Sequence, residues 1–147
     1  VQDSDFEYNP EELPRLLAPI LENKADFVFG AREAFVKGLP HRVMYFWHLK
    51  INAFLTAFCN MFSNLALSDM ECCYKMFRRS VLEKIELKEC RFGFEPEITL
   101  KASRQDILFY EVPVSYSCRT YAEGKKISWK DGVSALRCII KYGLFRM

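Results

Sequence analysis

Asp3-Ser4-Asp5 sets two carboxylates one residue apart near the start of a 147-residue chain, directly after residues that read as the end of a strand. On a loop, such a pair can reach one hard divalent cation, Mn²⁺ or Mg²⁺, and through it a diphosphate. A cation held there offsets the charge that builds on a departing diphosphate. The tripeptide alone is weak, because most acidic tripeptides are solvated turns. Asp69 and Glu71 form a second pair of acids, bracketing Met70. Beside an attacking oxygen, either can act as a base. Either can equally cap or brace its loop, and both readings stay open. Glu95 and Glu97 flank Pro96 at a helix start, where negative charge is favourable against the helix dipole. His41 and His48 have no carboxylate or cysteine partner at metal spacing.

The elements that must carry these residues alternate between helix and strand. Asn9-Pro10-Glu11-Glu12 is a helix start, with Asn as cap and Pro at the first position. Leu13, Leu16, Leu17, Ile20 and Leu21 follow at helical spacing, and Pro19 should kink or shorten the helix. Residues 25–30 read as a short buried strand. Residues 41–64 lack Gly and Pro and read as one long helix or two. Residues 72–78 are extended, and Ser80 opens a short helix to about Ile85. A helix runs from Glu95 to about Gln105. Residues 107–117 alternate as a strand in which Pro113 marks an edge or bulge. A polar loop surrounds Gly124, and Trp129–Tyr142 is the last helix. This order predicts an α/β fold with a layered sheet.

Half of the residues are hydrophobic and 27% are charged, which is globular usage and excludes whole-chain disorder. A net charge of +2 gives no reason to invoke nucleic acid. Cysteines at 59, 72, 73, 90, 118 and 138 form no CxxC pair, so they read as reduced thiols of a cytosolic compartment. No signal peptide is visible. The segment 43–62 is apolar and aromatic, but Arg42, His48, Lys50, Asn52 and Asn60 make it a poor membrane span. It packs as core or rests as an amphipathic surface at the face of a membrane, and core is the plainer reading.

The stretches DSDFEYNPEELPRLLAPILENKADFVFGAR, SDMECCYKMFRRSVL, RFGFEPEITLKASR, EVPVSY and RTYAEGKKISWKDG follow one another along nearly the whole chain. Together they resemble family 2 glycosyltransferases of the dolichol-phosphate mannosyltransferase type. The resemblance implies a GT-A fold, with a mixed sheet between helices. It also implies a hexose moved with inversion from a GDP- or UDP-sugar to a polyprenyl phosphate or related glycan acceptor. Asp3 and Asp5 match the family's metal-binding acids, and Glu7 stands where members have an acid or amide near the metal. Arg32, in Gly30-Ala31-Arg32, matches an arginine facing the acceptor phosphate, and Arg42 falls near a second basic position. Arg119, Lys125 and Lys126 match a basic segment that closes over the donor diphosphate, where guanidinium forks suit phosphate oxygens. Asp69 and Glu71 fall where related transferases carry an acidic acceptor-side motif.

Val1 in place of a starting methionine predicts a piece of a longer chain. Residues 1–147 are then a single partial domain, the acceptor-side half, without its nucleotide-binding N-terminal half and inactive in isolation. The alternative is a non-catalytic membrane or protein-interaction module that retains the fold.

Overall fold

The computed structural model describes residues 1–2, 7–35, 40–120, 123–124 and 129–145. Asn9 caps the first turn by accepting from the Glu11 N–H at 3.0 Å. A 3-10 turn at Pro10–Glu12 leads into helix α1, Leu13–Leu21. Pro19 lies inside α1 without breaking it, and the helix ends two residues later. The Pro19 carbonyl accepts from the N–H groups of Lys24 and Ala25 as the chain turns into strand β1, Phe27–Arg32. The strand lies two residues beyond its expected place, and all six of its residues are buried.

Helix α2, Phe46–Ser63, is one continuous helix. It stops where Asn64 turns left-handed at φ 56°, a conformation that asparagine tolerates better than most residues. Strand β2, Lys75–Phe77, is shorter than the extended stretch expected and leads into the single turn α3, Arg79–Leu82. Helix α4, Phe94–Ala102, carries Pro96 in its first turn, where a missing N–H costs nothing. Strand β3, Phe109–Val114, and helix α5, Trp129–Leu144, complete the order.

The sheet has the order β2-β1-β3, with β2 antiparallel and β3 parallel to β1. Among the described residues β3 is therefore an edge, which accommodates Pro113 opposite Ala31. A mixed sheet flanked by helices is the α/β architecture expected. Val28 packs with Leu16, Ile20 and Tyr74 on the α1 side. Phe27 and Phe29 pack with Val81, Ile98 and Ala102 on the other. A further cluster joins α2, α4 and α5 through Leu55, Cys59, Leu100, Cys138 and Ile139. All six cysteines are free thiols.

Two close approaches fix this packing. A Cβ at Gly30 would stand 2.9 Å from the Tyr74 Cβ, so only glycine lets β1 lie so close to Tyr74. Arg78 binds Asp26, the Ile20 carbonyl and the Asn23 side chain, tying the end of β2 to the turn between α1 and β1.

Candidate active site

Arg32 ends β1, and its guanidinium meets Asp69 on the loop between α2 and β2. Asp69 Oδ2 accepts from Arg32 Nε at 2.5 Å and from the Arg32 N–H at 3.1 Å. Asp69 Oδ1 accepts from Arg32 Nη2 at 2.7 Å and from Asn52 Nδ2 at 3.0 Å. These bonds take up roughly the four acceptor positions a carboxylate offers. Burial alone would raise the Asp69 carboxyl, but Arg32 outweighs it and holds the group below the usual range. For Asp69 the geometry is that of a brace: the carboxylate is wholly buried and paired, which removes the basicity a proton acceptor needs. Arg32 is 7% exposed, with its Cζ 5.0 Å from the ring centroid of Phe35 and 5.1 Å from that of Tyr116.

A polar stripe on α2 places that loop. Asn52, Thr56 and Asn60 recur every four residues and so share one helix face. Asn52 binds Asp69 and Arg32, Thr56 Oγ1 accepts from the Met70 N–H, and Asn60 binds both backbone groups of Leu67. From β3, Glu111 accepts from the N–H groups of Ser68 and Asp69. The backbone N–H groups of Leu67, Ser68 and Met70 on this loop are thus each met by a side chain from a helix or strand.

Glu71, on the same loop, behaves differently. Its carboxyl is pushed up to about 8, first by burial and then by the neighbouring Glu95. Its Oε1 is buried without a hydrogen-bond partner. Lys75 lies close, but its ammonium donates to the Met70 and Cys72 carbonyls on either side of Glu71. Glu97 is buried and accepts from Lys101 and from the N–H groups of Lys88 and Glu89.

The second gathering forms around Glu7. Its Oε1 accepts from the N–H and the Nε of Arg119, both at 3.0 Å, and its Oε2 accepts from the Tyr116 hydroxyl at 3.0 Å. Burial would raise this carboxyl, but the bonds from Arg119 and Tyr116 prevail and lower it. The expected metal position Glu7 and the expected diphosphate position Arg119, 112 residues apart in sequence, therefore meet. Glu7 faces a guanidinium and a phenol. Among the described residues no group of three or more His, Cys, Asp or Glu gathers to hold a metal ion. Asp3, Asp5, Lys125 and Lys126 lie outside the described residues.

Arg119 also lines a cavity of about 320 Å³ with Arg42, Val43, Met44, Tyr45, Cys118 and Thr120. Arg42 is half exposed, and its guanidinium reaches Glu123 at 3.6 Å. An exposed pair of that length holds its partners weakly. The cavity is therefore lined by two arginines together with apolar and aromatic residues.

Comparison with known proteins decides the family. The profile of glycosyl transferase family 2 matches residues 1–86, more than half of the chain. The chain belongs to glycosyl transferase family 2. It is 29% identical over 140 residues to the low-salt glycan biosynthesis hexosyltransferase of Haloferax volcanii, covering 94% of this chain and 33% of that protein. It is 28% identical over 130 residues to the undecaprenyl-phosphate mannosyltransferase of Micrococcus luteus, covering 84% of this chain and 50% of that protein. The polyprenol monophosphomannose synthase of Mycolicibacterium smegmatis is likewise 28% identical, over 84% of this chain and 46% of its own. The chain thus spans a third to a half of the length of these curated relatives.

Within this family 2 chain, sequence reasoning missed Tyr116, Asn52 and Thr56. Tyr116 lay within the quoted EVPVSY stretch without a role. Asn52 and Asn60 read only as interruptions of an apolar segment, although their spacing around Thr56 marks one helix face. Among the described residues no helix is long and apolar enough to cross a membrane.

Proposed function

We propose that the protein carrying this chain moves a hexose from a GDP- or UDP-sugar to a polyprenyl phosphate, with inversion at the anomeric carbon. The observation that carries this is the cavity between Arg42 and Arg119, with Val43, Met44 and Tyr45 along its wall. Guanidinium groups suit phosphate oxygens, and apolar lining suits a lipid chain attached to that phosphate. The names of the mannosyltransferase relatives, one undecaprenyl-phosphate and one polyprenol-linked, agree with that acceptor.

Arg119 orients donor phosphate oxygens, with Lys125 and Lys126 adding charge from the same segment. Arg42 binds the acceptor phosphate. Arg32 supports that side from within, through Asp69, rather than by direct contact. Asp3 and Asp5 would hold Mn²⁺ or Mg²⁺ through hard carboxylate oxygens of the kind such a cation prefers, and a cation held there would supply positive charge toward the leaving diphosphate. Glu7 anchors Arg119. A polyprenyl phosphate is already anionic and needs no base for attack, which agrees with an Asp69 committed to Arg32. The exposed side of residues 43–62, with Phe46, Trp47 and Phe54, rests at a membrane surface near the lipid acceptor.

The test is donor screening of the full-length protein with Mn²⁺ or Mg²⁺, with and without polyprenyl phosphate. Sugar transfer that needs both the lipid phosphate and the cation is expected. Replacing Arg119 by Ala should lower kcat/KM by about 100-fold, the scale of losing a charged contact to the transition state. Transfer that proceeds equally well without lipid phosphate, or without Arg119, rules the proposal out.

A further inference from the structure

We infer that Tyr116 is a positioning residue that fixes the donor-side arginine with its hydroxyl and the acceptor-side arginine with its ring. The inference rests on the site assignment just proposed. Tyr116 follows β3 by two residues and stands between the two gatherings already described. Its hydroxyl donates to Glu7 Oε2 at 3.0 Å, while Arg119 holds Oε1 of the same carboxylate. A carboxylate held at one oxygen can still rotate about its own axis. Held at both, it has a fixed plane, and the oxygen that receives the Arg119 Nε–H has a fixed place. The Ser117 N–H adds a bond to the Glu7 carbonyl at 2.9 Å, so backbone and side chain of Glu7 are clasped by one short segment.

The ring acts in the other direction. Its centroid is 5.1 Å from Arg32 Cζ, within the range of a cation–π contact. Arg32 is the partner of Asp69, so the ring presses on the brace of the acceptor-side loop. Behind it, the Tyr8 ring packs at 5.1 Å and stacks in turn on buried Tyr74 at 4.7 Å, which leaves Tyr116 little room to move. One side chain therefore connects Arg119 to Asp69 through contacts that are each direct: Arg119 to Glu7, Glu7 to Tyr116, Tyr116 to Arg32, Arg32 to Asp69.

Two substitutions separate the halves of this role. Tyr116→Phe removes the hydroxyl and keeps the ring, and Tyr116→Leu removes both. In the full-length protein, amide exchange needs no substrate. Tyr116→Phe should speed exchange at Ser117 and Arg119 and leave Arg32 unchanged, whereas Tyr116→Leu should speed all three. In steady-state transfer, Tyr116→Phe should raise the donor KM about tenfold, the scale of one hydrogen bond to a charged group. Its acceptor KM should hold, and Tyr116→Leu should raise both. Glu7→Gln combined with Tyr116→Phe should lose little more than Glu7→Gln alone, because the Tyr116 hydroxyl acts through Glu7. Unchanged exchange in Tyr116→Phe, or donor and acceptor KM moving together in it, overturns the inference. Failure of the wild-type protein to transfer sugar would overturn the proposed function instead, and the exchange data would still decide whether Tyr116 couples the two arginines.

Discussion

Asp69 and Glu71 stand one residue apart on one loop and ionise in opposite directions. Both are driven upward by burial, and only Asp69 has a guanidinium bound to it that reverses the effect. Glu71 is near another carboxyl, Glu95, and the Lys75 ammonium that partly offsets it is engaged by backbone carbonyls. The pH dependence follows from the sign of each shift. The folded Glu71 keeps its proton from the ordinary 4.5 up to about 8, while the unfolded chain gives it up. Its contribution to stability is therefore complete below 4.5 and is lost as pH rises through about 8. Asp69 does the reverse: its contribution is present above its ordinary 3.8 and is lost as pH falls through its lowered value. Glu71→Gln is neutral throughout, so it should flatten the fall in Tm between pH 5 and pH 8, a window worth on the order of 1 kcal/mol or more. Thermal melts across that range check it, and a parallel decline in wild type and variant would show that Glu71 ionises freely in the folded chain. Spacing alone treated these two acids as equals. Spacing reports neither burial nor the identity of a partner 37 residues away, which is how far Arg32 lies from Asp69.

Helices α2 and α5 run side by side in the same direction, and their contact depends on how little α5 carries at two positions. A Cβ at Gly143 would stand 2.6 Å from Phe62 Cγ and 2.8 Å from Phe62 Cδ1. A Cβ at Gly132 would meet Ile51 at 3.7 Å, an ordinary contact. Gly143→Ala must push Phe62 against Phe58, whose ring it meets edge-on at 5.1 Å, and should cost about 1–3 kcal/mol by overpacking. Gly132→Ala removes a weak helix former without a clash and should be neutral or stabilising by up to about 1 kcal/mol. Urea unfolding of the two variants checks the contrast. Equal effects would mean that helix propensity rather than the crossing decides both. The sequence made both helices legible, because neither apolar run contains a proline. It did not reveal which glycine sits at the crossing, since that depends on the register between helices far apart in the chain. The polar stripe of α2 was legible in principle, as three residues at one spacing within an otherwise apolar helix.

On the scale of the molecule, the buried strand β1 explains why much of the fold could be read from pattern. The continuous apolar run at its start already marked it as central, and the helix before it fixed the layering. The outward faces were harder to read. Apolar helical stripes are usually core, yet α2 turns part of its stripe outward: Trp47 is 71% exposed, Phe46 61% and Phe54 57%. Its neighbour α5 does the same with Trp129, Val133 and Leu144. α2 contains Lys50 and no acid at all, and Lys130 stands beside Trp129. Aromatic residues with scattered lysines suit the boundary between lipid headgroups and acyl chains. Arg42 and the cavity lie immediately before α2, so a membrane resting on this helix would meet the proposed acceptor pocket. Binding to vesicles should then have an apolar and an electrostatic part. Trp47→Ser with Phe54→Ser should lower co-sedimentation with anionic vesicles at least tenfold, about the loss expected for two partly buried aromatic side chains. Both side chains are exposed, so their removal should leave Tm nearly unchanged. Raising salt from about 0.1 M to 1 M shortens the screening length from about 10 Å to 3 Å and should weaken wild-type binding without abolishing it. Retention of full binding by the double variant would place these aromatic residues against protein instead of lipid.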